Sequence, residues 1–334
     1  MTPFDNQFSS SSCNLCETYS SSSVYLYPYA RYAFLELLSK LSIKTIYLPS
    51  FICRDMLSPL NELKIQYFFY EVDENLQPLL KDLKCDVIMS INYFGFATDV
   101  NSFIKYKEKF NAIFIEDNAH GFLSKDNQGK LLGTRGDFGL LSLRKTISLP
   151  NGAALLVNNK KYLNVSFETK ESKYTYEDER YQKKVFLKKF FISKYIGISF
   201  VLLRRFTRFL KTGSSIPLPD AESEKELPSN YFTTTQLISN TLNINSDRES
   251  KRRRKMYEEV QKWAVQFDIK PIFELDEGSV PFEFAFIDNG NFQKFERYLY
   301  LKGFFVLPWP DLPDEVVSSS PKFYKNIKVV PFLW

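Results

Sequence analysis

The chain has one histidine in 334 residues, His120, and four cysteines, Cys13, Cys16, Cys53 and Cys85. Four scattered thiols are too few to staple a chain of this length, so a disulfide framework is not expected and a reducing cytoplasm is. Cys13 and Cys16 form a C-x-x-C within SSSSCNLCETYSSSS. No second cysteine pair or nearby histidine completes a tetrahedral site, so the stretch reads as a flexible leader with free thiols rather than a zinc or redox centre. Long apolar runs are lacking as well. The longest uncharged run of FLKKFFISKYIGISFVLLRRFTRFLK, residues 186–211, is the nine residues Tyr195–Leu203. A spanning helix needs about 20, so this segment reads as a helix hairpin packed on its own protein or a basic amphipathic face for an anionic membrane surface. The N-terminus lacks the basic region and apolar core of a signal peptide, and export is not expected. Charge of one sign is also modest. The excess of 44 basic over 39 acidic residues gives +5, a weak basis for nucleic-acid binding. The basic run Lys251–Lys255 has no aromatic platform beside it and reads as a solvated helix face.

Apolar material is abundant: 44% hydrophobic and 16% aromatic residues suffice for a substantial core in one large domain or two of ordinary size. Between about residues 31 and 158, short apolar runs alternate with amphipathic stretches, the pattern of a mostly parallel sheet with helices on both faces. ARYAFLELLSKL places Phe34, Leu37, Leu38 and Leu41 on one helical face, CRDMLSPLNEL reads as the next helix, and VNSFIKYKEKF as another. TIYLPS, IQYFFYEV, CDVIMSI, AIFIED, GDFGLLSL and GAALLVNN read as strands. Beyond residue 160 the chain becomes charged and helical, then alternates strands with one helix. The expected organisation is a Ser-rich leader at 1–24, a large α/β domain at 25–235 with a basic helical insertion at about 180–212, and a small α+β domain at 236–334.

Ligands of open α/β sheets sit at the carboxyl ends of the strands, where Glu116 and Asp117 follow AIFI. A carboxylate there can ligate metal, act as a base or pair with a protonated heterocycle. With one histidine and no further acidic cluster nearby, metal is disfavoured. Downstream, Ser142 and Lys145 lie in SLRKT between an apparent strand and a Pro-Asn-Gly turn. A lysine held near a sheet and shielded from water can become a nucleophile toward a carbonyl. A strand-end aspartate followed by such a lysine is what a pyridoxal phosphate (PLP) site requires: an amine for a Schiff base, and a carboxylate that keeps the pyridine nitrogen protonated.

The stretch EDNAHGF, the spacing Gly133, Gly136, Asp137, and SLRKTISLPNGAAL resemble the core of the DegT/StrS family of PLP-dependent aminotransferases. INYFGFATDV, SDRESKRRRKMYEEV and GFFVLPWPDLP are similar to further family segments in the same order, so the resemblance spans roughly residues 25–334. It implies the fold type I architecture, PLP as cofactor and transfer of an amino group, with glutamate as donor, to a nucleotide-linked keto-sugar in surface polysaccharide or lipopolysaccharide synthesis. A PLP-dependent sugar dehydratase and a non-catalytic scaffold subunit are the alternatives it allows. Carried over, Lys145 would be the Schiff-base lysine and proton carrier, Asp117 the partner of the pyridine nitrogen, His120 a contact to the ring or its 3-oxygen, and Ser142 a phosphate ligand. The family's Gly-Thr at the first helix is replaced by Ala30-Arg31 followed by Tyr32; Arg31 supplies a guanidinium there or faces solvent. Cys53 stands where a stacking aromatic is usual, and Lys145 follows Ser142 by three residues rather than five. The resemblance also implies a homodimer, with Asn230 and the 214–235 loop reaching the partner's site.

Overall fold

The computed structural model describes residues 15–146, 149, 151–168, 171–172, 183, 197–215, 221–227, 233–234, 246–302 and 304–332. The alternation of apolar runs and amphipathic stretches becomes α1 (Leu15–Thr18), β1 (Ser23–Tyr27), α2 (Ala30–Lys40), β2 (Thr45–Pro49), α3 (Ser58–Glu62), β3 (Gln66–Val72), β4 (Pro78–Leu79), β5 (Val87–Ile91), α4 (Asn101–Phe110), β6 (Ile113–Asn118), β7 (Phe138–Leu141), α5 (Leu143–Thr146) and β8 (Ala153–Val157). These eight strands form one sheet in the order β1-β8-β7-β6-β5-β2-β3-β4. The five strands β3, β2, β5, β6 and β7 run parallel, while β8, β1 and β4 join antiparallel. The α/β architecture expected from the sequence is therefore present.

Strand alternation sorts the two faces. Phe114 of β6 stacks on Phe103 of α4 with centroids 5.4 Å apart. Glu116 shares that face, and Ile115 and Asp117 point to the other. That other face meets the start of α2, whose Ala33, Phe34, Leu37 and Leu38 are buried, with Leu41 half-buried at its end. The stretch CRDMLSPLNEL is not one helix. It forms a 3-10 turn at Arg54–Met56 and then α3, with Pro59 in the first turn of the latter. Proline is tolerated in the first turn of a helix but not in its interior, which fits a helix that starts at Ser58 rather than one running through from Cys53. Arg54 is also drawn out of any helical register by Asp311 at 3.1 Å, Asp314 at 3.0 Å and Glu224 at 3.7 Å.

The end of the expected leader belongs to the fold, contrary to its serine-rich composition. Leu15 and Tyr19 are buried in a cluster with Phe122, Leu141 and Leu143, and Tyr19 lies over Phe122 at 6.3 Å. β1 then pairs along β8 from Ser23 opposite Val157 to Tyr27 opposite Ala153. Residues 1–14, with Cys13, lie outside the described residues; Cys16 is exposed.

A short parallel pair, β9 (Glu171–Ser172) with β10 (Thr233–Thr234), precedes the C-terminal part. There β11 (Glu283–Ile287), β12 (Leu307–Pro308) and β13 (Ile327–Pro331) form an antiparallel sheet in the order β11-β13-β12, flanked by helices Ser246–Val265 and Phe292–Leu301. One hydrophobic core runs through both sheets, from Phe34 and Leu48 to Phe284 and Tyr324. The Tyr324 hydroxyl crosses between them, accepting from Val72 N at 2.9 Å and lying 2.9 Å from Ser50 Oγ.

The basic run at 251–255 is not a solvated face. Lys251 and Lys255 are exposed, but Arg252 and Arg253 are buried, because Glu249 one turn earlier pairs with both, at 2.7 Å and 2.6 Å. Of the basic segment at 186–211, residues 186–196 lie outside the described residues, and the rest forms most of the helix Gly197–Thr212. Among the described residues no helix is long and apolar enough to cross a membrane.

Candidate active site

Asp117 lies at the carboxyl end of a central parallel strand, and α5 follows the end of its neighbour β7. One cavity receives side chains from both. Of the residues expected from the sequence, Lys145, Asp117, His120, Ser142 and Arg31 line it together. Tyr32 does not: one residue along a helix rotates a side chain by about 100°, and its ring is buried in the core. Tyr29, ahead of the helix, lines the cavity instead. Asn230 lies outside the described residues. No group of three or more histidine, cysteine and acidic side chains fit to hold a metal occurs among the described residues.

The first turn after β7 decides which basic residue of SLRK faces inward. Lys145 N donates to Ser142 O at 3.2 Å, and Lys145 Nζ then reaches His120 Nε2 at 2.9 Å. Arg144 turns instead toward Tyr29, its guanidinium 5.2 Å from the ring centre, and also lines the cavity. The one-turn helix thus presents the amine to the aspartate side and the guanidinium to the start of α2.

The two acids of IFIEDN have different surroundings, as their alternation along β6 requires. Glu116 is fully buried and structural: it accepts from Asn92 Nδ2 at 2.8 Å and from Arg135 N and Nε at 2.8 Å each. Asp117 is 4% exposed. Its Oδ1 accepts from Ala119 N at 2.9 Å, and its other oxygen has no hydrogen-bond partner among the described residues. Burial pushes its carboxyl up to about 6. A carboxylate so placed favours a cationic N–H entering from the cavity.

His120 is sandwiched between Phe282, with centroids 4.8 Å apart, and Phe94 at 5.9 Å, and Trp309 meets it edge-on at 5.4 Å. Burial holds its imidazole well below the usual range, in the neutral form. Phe94 N donates to its Nδ1 at 3.3 Å. Cys53 lines the cavity as a half-buried thiol pushed up by desolvation and by Asp55, not as a stacking ring.

At the opposite end, α2 starts at Ala30 without a side-chain cap. The amides of Ala30 and Arg31 have no partner among the described residues, whereas Tyr32 N and Ala33 N both return to Tyr29 O. Free amides at the start of a helix attract anions. Ser142, Arg31 and Arg144 line the same cavity, although Arg31 is shared with Asp55 at 3.5 Å. An anion-binding end and a lysine with a strand-end carboxylate are the features a PLP-sized group needs, so the residues present fit the cofactor expected from the sequence.

Three contributors escaped the sequence reading. Glu283 of β11 is buried and pushed up to about 8 by burial, while Arg253 acts against that shift. Phe282 and Trp309 come from the C-terminal part, more than a hundred residues from His120. Their place in the site depends on the packing of distant segments, which local periodicity does not carry.

The model of the DegT/DnrJ/EryC1/StrS aminotransferase family matches residues 80–193. No curated protein sequence matches this chain. Among solved structures, a DegT/DnrJ/EryC1/StrS aminotransferase from Brucella abortus superimposes with a TM-score of 0.62 at 14% identity, over 95% of this chain and 82% of that one. The Helicobacter pylori aminotransferase PseC, of pseudoaminic acid biosynthesis, gives 0.61 at 15% identity over 95% and 83%. An E. coli GDP-4-keto-6-deoxy-D-mannose-3-dehydratase with bound hydrated PLP gives 0.58 at 16% identity over 95% and 85%. The family match at 80–193 spans both Asp117 and Lys145, and the solved structures share the fold over nearly the whole of this chain.

Proposed function

We propose that this chain is a PLP-dependent aminotransferase that delivers an amino group, with glutamate as donor, to a nucleotide-linked keto-sugar in surface polysaccharide or lipopolysaccharide synthesis. The observation that carries the reading is the meeting of Lys145 and buried Asp117 in one cavity whose far end is the bare start of α2. Bound PLP supplies an electron sink that makes a proton on the adjoining carbon labile. Asp117 holds the ring nitrogen in its protonated form. Ser142, Arg31, Arg144 and the first amides of α2 hold the phosphate. Lys145 anchors the group and, when free, carries a proton on Nζ between donor and acceptor carbons. Phe282, Phe94 and Trp309 keep water from that nitrogen.

Incubation of the purified protein with PLP, glutamate and a panel of nucleotide-linked keto-sugars, followed by mass analysis, tests the reading. The expected product carries nitrogen in place of the keto oxygen, and Lys145→Ala gives none. Loss of a hydroxyl without gain of nitrogen would assign the dehydratase alternative, and failure to take up PLP would leave the scaffold alternative.

The reading includes a cytoplasmic homodimer, which light scattering of the purified protein tests, and contact with the inner membrane surface. For the latter, the helix Gly197–Thr212 is turned unusually. Arg205 faces the body, 4.0 Å from Glu296 and over the Tyr300 ring at 4.8 Å, and Arg208 donates to Ser215 O at 3.3 Å. Leu202, Leu203, Phe206, Phe209 and Leu210, a single stripe at helical spacing, are each more than half exposed. Residues 186–211 contain seven basic and no acidic residues, which favours an anionic lipid surface as the occupant. Five side chains also fall short of the roughly 20 residues a side of a stable protein interface. Flotation with phosphatidylglycerol vesicles is expected for the wild type and not for Phe206→Glu/Leu210→Glu. A soluble wild type, or a dimer that this variant splits, would overturn the lipid assignment.

A further inference from the structure

The short turn Tyr93–Gly95 that follows β5 is strained. Phe94 takes φ +54 and ψ +16, and Gly95 takes φ +97. Side chains with a Cβ avoid this left-handed region, and such strain persists where surrounding contacts impose it. The consequence is directional: the Phe94 amide points at His120 Nδ1, 3.3 Å away, while the other ring nitrogen of His120 lies 2.9 Å from Lys145 Nζ.

A neutral imidazole has one donor and one acceptor nitrogen. Phe94 N–H can only donate, so Nδ1 must accept and the ring proton sits on Nε2. That proton faces Lys145. An ammonium has three donors and no acceptor, so a protonated lysine would set N–H against N–H across 2.9 Å. Reversing the tautomer or forming an imidazolium sets N–H against the Phe94 amide across 3.3 Å instead. Only an unprotonated lysine satisfies every group. Around this pair, the acids that act on Lys145 are Asp117, Cys53 and Glu283. The Arg253 guanidinium lies behind Phe282, 5.9 Å from its ring centre. None of these four hydrogen-bonds to His120 or to Lys145 Nζ among the described residues.

We propose that the Phe94 amide locks His120 as its Nε2–H tautomer, and that His120 is a positioning residue which donates to Lys145 Nζ and holds that amine unprotonated, ready for the cofactor's carbonyl. The inference rests on the aminotransferase reading only for its purpose; the state of the ring stands on geometry. Condensation of an unprotonated amine with an aldehyde forms one C=N bond and releases one water, with no proton to be shed first.

Because the chain has one histidine, nitrogen NMR of the cofactor-free protein labelled with 15N-histidine reports this ring alone. The expected spectrum shows an unprotonated, accepting Nδ1 and a protonated Nε2, unchanged between pH 6 and 9. An imidazolium in that range, or a proton on Nδ1, would overturn the proposal whether or not the protein binds PLP. A second readout is the pH profile of PLP uptake, followed by absorbance. Wild type and His120→Gln, whose amide offers the same acceptor and donor, should load at rates independent of pH. His120→Phe should load more slowly than wild type at pH 7, by more than about tenfold, and recover as pH rises. Equal profiles for wild type and His120→Phe would contradict it. If no variant takes up PLP, the aminotransferase reading fails and the NMR result alone decides this one.

Discussion

The guanidinium of Arg253, with no exposed surface, donates to the carbonyl of Thr146, the residue after Lys145, at 3.1 Å. The same side chain pairs with Glu249 at 2.6 Å and donates to Phe282 O at 3.1 Å. One buried arginine therefore ties the turn carrying Lys145 to Phe282, the residue before β11 that stacks on His120.

Removing that tie should be costly. Arg253→Met leaves Glu249 with Arg252 alone and strips buried carbonyls of their donor. A loss of about 3–5 kcal/mol is expected in urea unfolding. Arg253→Lys should recover less than half of it, since an ammonium cannot reproduce the fork. A loss below about 1 kcal/mol would show that the clamp is dispensable.

Asp117 gives a pH signature. Its carboxyl is at about 6 when folded, against an ordinary value of 3.8. The folded state therefore binds the proton more tightly, so this group's contribution to stability falls as pH rises from about 3.8 to 6 and stays low above that, by about 3 kcal/mol. Asp117→Asn should raise the melting temperature of the cofactor-free protein at pH 7 but not at pH 4, while weakening PLP retention. Unchanged stability at pH 7 would mean that the carboxylate already has a cationic partner.

Gly95 tests the strained turn. A Cβ there would lie 2.5 Å from Val280 O, on a backbone with φ +97. Gly95→Ala should shift the turn away from β11, disturb the Phe94 contact to His120 and cost several kcal/mol, roughly the sum of a strained φ and an overpacked contact. At Gly129, with φ +77 but open space around it, alanine should cost only about 1 kcal/mol. Comparable losses in thermal unfolding would place the effect in φ alone.

The sequence carried the sheet and the central pair because both depend on local pattern. Strand runs are short and apolar, and Asp117 and Lys145 stand at strand ends by position alone. The unread parts depend on distant partners. SSSVYLY looks like leader until β8 offers it an edge, and Arg252 and Arg253 look solvated until Glu249 takes both in and the carbonyls of Thr146, Pro281 and Phe282 receive Arg253. CRDMLSPLNEL has helical periodicity, and only Asp311 and Asp314 reveal why Arg54 leaves it. Tyr32 was misplaced because a substituted motif fixes a position along the helix, not the direction of each side chain.

The most direct test of the account is borohydride reduction of the PLP-loaded protein followed by peptide mass mapping. Cofactor mass on Lys145, absent from Lys145→Ala and much reduced in Asp117→Asn, is the predicted result. Cofactor mass on a different lysine, or none in the wild type, would contradict the account.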